Sequence, residues 1–223
     1  MYKPVLHLKN NHYGSNTWDC FSYKLNRDVC LYSDLEYELW IKLETDNEVE
    51  NFCEQPLRIS GVVDGETHDT IFDMWVKLKN GKEEFIEIKY SSDLIKMQDN
   101  KTRIYKQINL QKNWCKEKNI SYRILTENEI RSQPLINNLK LIVPYIKYFN
   151  NISELEIHKL FKSINETPQA LYQLIKSTNQ TNTNQFYTTL FFLYYQKKIS
   201  MNLDEIPFNQ DTKVWINDVE KKV

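Results

Sequence analysis

The sequence predicts an α/β protein with a mixed central sheet flanked by helices, followed by a mostly helical, winged-helix-like segment. Three observations lead there. Up to about Arg131, helical apolar stripes alternate with short strand-like runs. Asn80-Gly81 separates two alternating runs, the strongest short signal for an antiparallel hairpin. Beyond Gln133 the pattern turns mostly helical and ends in two short strand-like runs. The chain therefore divides into domains at residues 1–132 and 133–223.

The first helix is set by Ser33 and Glu36 at capping-box spacing, after which Leu35, Leu39, Trp40 and Leu43 make one apolar stripe. Strand-like runs follow at 49–52, 57–63, 71–79 and 84–90, punctuated by Asp64-Gly65 and Asn80-Gly81. A longer helix is expected over 101–118, then a strand over 121–125 and a second capping pattern from Thr126 to Glu129. This order describes a mixed sheet with helical cover. In the second domain, helices are expected over 135–149, 153–164, 168–177 and 182–196, with strands at 198–203 and 212–216. A helical cluster closed by a ribbon suggests a winged helix; the alternative is a helical bundle with an extended tail.

Composition narrows the class. With 223 residues, 41% of them apolar, and only four glycines and six prolines, the chain can build a sizeable core and leaves little room for a disordered linker. The formal charge of −1 shows no bias toward nucleic acid, although a balanced total can hide a basic face. Cys20, Cys30, Cys53 and Cys115 form no C-x-x-C pair and are expected to be free buried thiols of a reducing compartment. The polar start and the lack of any run near the ~20 apolar residues of a membrane span lead to the expectation of a cytoplasmic protein.

The run EEFIEIKY, 83–90, carries the chemistry. Strand alternation places Phe85, Glu87 and Lys89 on one face. Across the Asn80-Gly81 turn, Asp73 is the acid at the start of the neighbouring strand and can come beside Glu87. Two carboxylates there repel unless something positive lies between them. A divalent cation would do so: Asp73, Glu87 and the main-chain carbonyl of Ile88 are the hard oxygen donors that Mg2+ prefers, with Mn2+ able to substitute. Lys89 would help hold a water as hydroxide and neutralise charge on a phosphate, so the cluster suits phosphodiester hydrolysis. Asp99-x-Lys101, Asp211-x-Lys213 and Glu220-x-Lys222 share the acid-x-lysine spacing but not the apolar strand or hairpin. The alternative is an edge strand with a solvated charged face. Glu36 flanks the apolar stripe of the first helix and could lean over the sheet as a third acid, serve simply as the acidic member of its capping box, or do both at once.

Taken in order, Ser33-Asp-Leu-Glu36, Glu54-Gln55-Pro56-Leu57, Phe72-Asp73 and Ile86-Glu87-Ile88-Lys89 resemble the PD-(D/E)xK, restriction-endonuclease-like nuclease fold, and more narrowly TnsA, the endonuclease subunit of heteromeric cut-and-paste transposases. Trp114, the run Tyr122-Arg-Ile-Leu125 and the T-x-x-E-I pattern from Thr126 to Ile130 extend the likeness over about the first 130 residues. The resemblance implies that Glu36, Asp73 and Glu87 are the acidic catalytic and metal-binding positions and that Lys89 is the catalytic lysine. It further implies 5′-end cleavage of transposon ends in double-stranded DNA, an integrase-type transposase as partner, and an AAA+ regulator bound by the C-terminal domain. Phe72 stands where the wider fold carries its eponymous proline.

Other readings stay open. A restriction-type or junction-resolving nuclease would use the same core, and a non-catalytic DNA-binding assembly module would recruit a regulator without cutting. Gln55-Pro56 is either part of the resemblance or a strand stop. Arg103, Lys106, Gln107, Lys112 and Lys116 touch phosphates or form a solvated helix face. Tyr187, Phe191, Phe192, Tyr194 and Tyr195 are core or a stacking platform, and Lys197, Lys198 and Lys213 meet DNA or an acidic partner.

Overall fold

Alternating apolar positions pair into strands here in several separate ladders, and the computed structural model describes them for residues 1–5, 16–96, 102–178 and 182–217. Two compact units result, one of residues 1–43 with 48–131 and one of 44–47 with 132–223. Asp99, Lys101, Glu220 and Lys222 lie outside the described residues.

The first unit opens with an antiparallel hairpin, β1 (Trp18–Ser22) and β2 (Arg27–Leu31), that the periodicity did not disclose. Helix α1 (Asp34–Thr45) follows. Ser33 caps it as expected, its Oγ accepting from the Glu36 N–H at 3.1 Å, while the Glu36 carboxylate reaches back to accept from the Tyr32 N–H at 3.0 Å and from Ser33 Oγ at 3.1 Å. The helix is buried on more than one stripe, since Ile41, Glu38 and Glu44 join Leu35, Leu39, Trp40 and Leu43 inside.

Next come β3 (Val49–Glu54), β4 (Arg58–Val63), β5 (Glu66–Ile71), β6 (Met74–Leu78) and β7 (Glu83–Ile88). The expected single run over 71–79 is broken at Phe72-Asp73 into the end of β5 and the start of β6. Asp64 and Gly65 both have positive φ, 52° and 80°, which is what a two-residue turn joining β4 and β5 needs. Around Asn80-Gly81 the hairpin is real but its loop is longer: Lys79 to Lys82 link the strands, Gly81 takes φ 83°, and the Asn80 side chain accepts from the Lys82 N–H at 3.0 Å. Helices α2 (Ser91–Lys96) and α3 (Arg103–Lys118) then cross over to β8 (Ser121–Leu125), which pairs parallel with β7. Helix α4 (Glu127–Ile130) starts on the Thr126/Glu129 capping box foreseen from the sequence.

The central sheet has the order β3-β6-β7-β8, with one parallel and two antiparallel pairings, so it is mixed as expected. β7 is interior, lying between β6 and β8, and Glu87 is fully enclosed; the solvated edge-strand reading of 83–90 is therefore incorrect. Cys53, Phe72, Trp75 and Phe85 pack with Leu110 and Cys115 of α3 into one core. Phe72 is central to it, with its ring 4.3 Å from Phe85 and 5.6 Å from Trp114 by centroids. Its N–H donates to the Leu57 carbonyl at 3.2 Å, a bond that proline at this position would lack. Gly61 lets β4 close on α3, because a Cβ there would fall 2.5 Å from Leu110 Cδ1. Gln55 stops β3 with φ 43°, its N–H donating to the Asp73 carbonyl at 2.9 Å, so Gln55-Pro56 ends the ladder.

The second unit contains α5 (Leu135–Ile146), a 3-10 turn (Phe149–Asn151), α6 (Glu154–Lys162), β9 (Gln169–Ala170), α7 (Leu171–Thr178), α8 (Thr183–Tyr195), β10 (Ile199–Met201) and β11 (Lys213–Ile216). The expected ribbon is a three-stranded sheet, β10-β11-β9, because β9 was hidden in the run read as the start of a helix. The aromatic residues of α8 are core: Phe191 meets Tyr145 and Phe208 at 5.0 and 5.3 Å, and Phe192 meets Phe149 at 5.5 Å. None of the four cysteines is in a disulfide; Cys53 and Cys115 are buried, Cys20 and Cys30 only half-buried. No helix among the described residues is long and apolar enough to cross a membrane.

Candidate active site

Register places the acids. β6 and β7 pair as Met74↔Ile86 and Trp75↔Phe85, so one step beyond the ladder Asp73 stands level with Glu87. Asp73 is fixed there by its own side chain, whose Oδ2 accepts from the Ile88 N–H at 2.7 Å. Lys89 leaves the sheet just after β7, its N–H donating to the Leu125 carbonyl at 3.1 Å, and its ammonium donates to Glu87 Oε1. Glu36, at the start of α1, completes the group through its charge interactions with Asp73 and Lys89.

Glu87 is held by donors from α3. Gln107 Nε2 donates to Oε1 at 2.6 Å and Gln111 Nε2 to Oε2 at 2.8 Å, one helical turn apart. Gln111 is fully buried and has only two amide hydrogens to offer. Thr70 Oγ1 and the Ile71 carbonyl also lie within its reach, at 3.2 and 3.3 Å, and its own oxygen accepts from Tyr122 OH at 2.8 Å. This amide thus ties β5, β7 and β8 together behind the carboxylate. Gln111→Leu is expected to cost about 1–3 kcal/mol, because it leaves Tyr122 OH and one Glu87 oxygen without a partner in the interior; urea denaturation of the variant beside the native protein measures it.

Electrostatics mark the cluster as strained. Burial, then the Asp73 charge, pushes Glu87 up to about 8. Burial and then Asp73 likewise push Glu36 up to about 7. Asp73 is also raised by burial, although Lys89, the Ile88 N–H and a hydrogen bond with Glu87 pull the other way. For Lys89, burial favours the neutral amine, but Asp73, Glu87 and Glu36 together outweigh it and hold the ammonium above its ordinary value. Burial, followed by the charges of Glu87 and Asp73, keeps Tyr122 protonated far up the scale, so it remains a donor to Gln111.

Glu36, Asp73, Glu87 and Lys89 therefore interact as one electrostatic group. The three acids are not gathered as a ready ligand set: among the described residues no three His, Cys, Asp or Glu side chains form a group that could hold a metal ion. Glu36 is committed to the helix start through Tyr32 and Ser33. The donor chemistry that fits a hard divalent cation is Asp73 with Glu87, two carboxylates level with each other across a strand pair and both raised chiefly by burial. Gln111 escaped the sequence reading, and Tyr122 entered it only as part of the strand that carries the family likeness, without a role at the site. A polar residue among the buried positions of α3, four residues after Gln107 and one after Leu110, was the available signal.

Of the α3 residues weighed for phosphate contact, Gln107 faces Glu87 and Lys106 is paired with Glu66. Arg103 borders a groove beside Asp73, together with Arg58. Lys112, nine residues from Arg103, is turned about 180° around the helix from it.

Residues 46–127 match the family model described as TnsA-like endonuclease N terminal. The match includes Asp73, Glu87, Ile88, Lys89 and both α3 glutamines, and leaves Glu36 outside. No curated protein matches the chain.

Proposed function

We propose, from the premise that residues 46–127 form a TnsA-like nuclease domain, that this protein is the DNA-cutting subunit of a cut-and-paste transposition system. The observation that carries the reading is the opposition of Asp73 and Glu87 across β6 and β7, with the Lys89 ammonium bound to Glu87 in the same enclosed cluster. An isolated acidic pair in the interior is costly unless something uses it. Asp73, Glu87 and the Ile88 carbonyl would hold Mg2+, or Mn2+ in its place, and Glu36 would add charge from the helix start. The cation, when bound, neutralises the two carboxylates and polarises the phosphodiester. Lys89 brings its ammonium against the phosphate and stabilises the negative charge that develops there. Gln107 and Gln111 hold the Glu87 carboxylate in one orientation.

The substrate is double-stranded DNA at transposon ends, cut at the 5′ ends in the cytoplasm, with an integrase-type transposase cutting and joining the 3′ ends. In the second unit, the order α6, β9, α7, α8, β10, β11 with its small antiparallel sheet supports a winged helix. Helix α8 contains no lysine or arginine and places its rings in the core, which favours a protein partner such as an AAA+ regulator over DNA for this unit. End-labelled donor DNA with Mg2+, with and without the partner transposase, tests the assignment. Cleavage at the 5′ ends by the native protein and none by folded Asp73→Ala is expected; equal cleavage by that variant would refute it.

A further inference from the structure

We propose that the groove beside Asp73, walled by Arg58 of β4 and Arg103 of α3, is a subsite for a DNA backbone phosphate adjoining the one that is cut; this rests on the nuclease reading above. The groove has a volume of about 340 Å3, and Gln55, Asp69, Asp73 and Gln107 also line it. Through Asp73 and Gln107 it opens directly onto the catalytic cluster, because Gln107 donates to Glu87.

Charge supplies the argument. Carboxylates suited to a cation repel the phosphodiester that must reach it, so a cutting site needs fixed positive groups at its rim. Among the described residues, the other lysines and arginines of this unit that pair with an acid are already engaged: Arg27 with Glu54, Lys77 with Glu50, Lys89 with Glu87, Lys106 with Glu66, Arg123 with Glu84 and Arg131 with Glu38. Arg58 and Arg103 are both exposed, and among the described residues neither makes an ion pair. They balance Asp69 and Asp73 within the groove. A guanidinium presents a planar fork of donors that matches two phosphate oxygens, so two of them at the rim of one groove suit a DNA strand lying along it. Gln55 and Gln107 add neutral amide donors, which hold an anion without further charge.

The test is duplex binding across a salt titration in an Asp73→Asn background, which removes cleavage and the repulsion at the cluster together. Arg58→Ala and Arg103→Ala are each expected to weaken binding and to lower the slope of log K against log salt by about 0.9, the loss of one phosphate contact. Lys112→Ala, on the opposite side of α3, is expected to change neither. Exposed arginines contribute little to folding, so these variants stay folded. Arginine variants that bind with the parent's affinity and slope overturn the subsite and leave the nuclease reading in place. An equal loss in Lys112→Ala also overturns it, since a diffuse field would then account for binding. A native protein that neither binds nor cuts duplex DNA overturns both.

Discussion

Replacing Lys89 by methionine is expected to slow strand cleavage by about 10²- to 10⁴-fold, the usual effect of removing a group that stabilises charge or moves a proton in the transition state. Its ammonium is enclosed, with the side chain 18% exposed, and is the cation closest to the opposed carboxylates. In such a setting a fixed positive charge acts far more strongly than it would in water. Methionine keeps the unbranched stem, so packing beside β7 survives. Glu87 and Glu36, already raised by burial and by Asp73, can take up protons when the ammonium is gone, and the fold need not fail. A thermal melt at pH 6 beside a cleavage assay at pH 8 separates the outcomes. Native melting with native cleavage would remove Lys89 from the chemistry.

Stability without a divalent cation is expected to fall as pH rises from about 5 to about 8.5. The sign follows from the raised carboxyls. Glu36 and Glu87 have folded-state values of about 7 and about 8, above the 4.5 of an unperturbed glutamate. Across that interval the folded chain therefore holds more protons than the unfolded one. Their contribution is present in full below the unfolded value and is lost as pH climbs through the folded ones, at a limiting rate of about 1.4 kcal/mol per pH unit for each group. Asp73→Asn removes the charge that is the second-largest influence on both, so it should flatten the profile and leave the variant more stable than the native protein at pH 8.5, with little difference at pH 5. Added Mg2+ should raise the native protein at pH 8.5, because a ligand that binds only the folded state stabilises it. Urea midpoints at the two pH values measure all of this. A native profile that is flat or rises with pH would show that the acids are not forced together as described.

Several features were legible because they depend on neighbours in sequence. The Thr126/Glu129 capping box and the start of α1 at Ser33 involve side chains three residues apart, which any chain carrying that pattern can satisfy locally. β8 was read to the residue, since Ser121 to Leu125 is bounded by a left-handed Asn119 on one side and by the Thr126 cap on the other. Glu87 and Lys89 were singled out because charge inside an apolar run is anomalous whatever the fold. Sequence did not separate β5 from β6: Phe72-Asp73 continues the alternation, and only the Phe72 bond to Leu57 and the Asp73 bond to Ile88 divide the run. Nor did it find Gln111, whose role requires Thr70, Glu87 and Tyr122, from three strands, to meet at one amide.

By itself, then, the sequence determined the α/β class, the mixed sheet, the hairpin carrying Asp73 and Glu87, and the likeness to TnsA-type nucleases. These rest on period, turn chemistry and local order, which are written along the chain. Tertiary structure alone decided that β7 is interior, that Glu36 bears electrostatically on Asp73 while it serves the helix start already marked by its capping box, and that Arg58 and Arg103 face one groove. Those outcomes depend on which distant elements share a surface, and the parallel crossover from β7 through α3 to β8 sets that by a long-range pairing which local propensity does not specify.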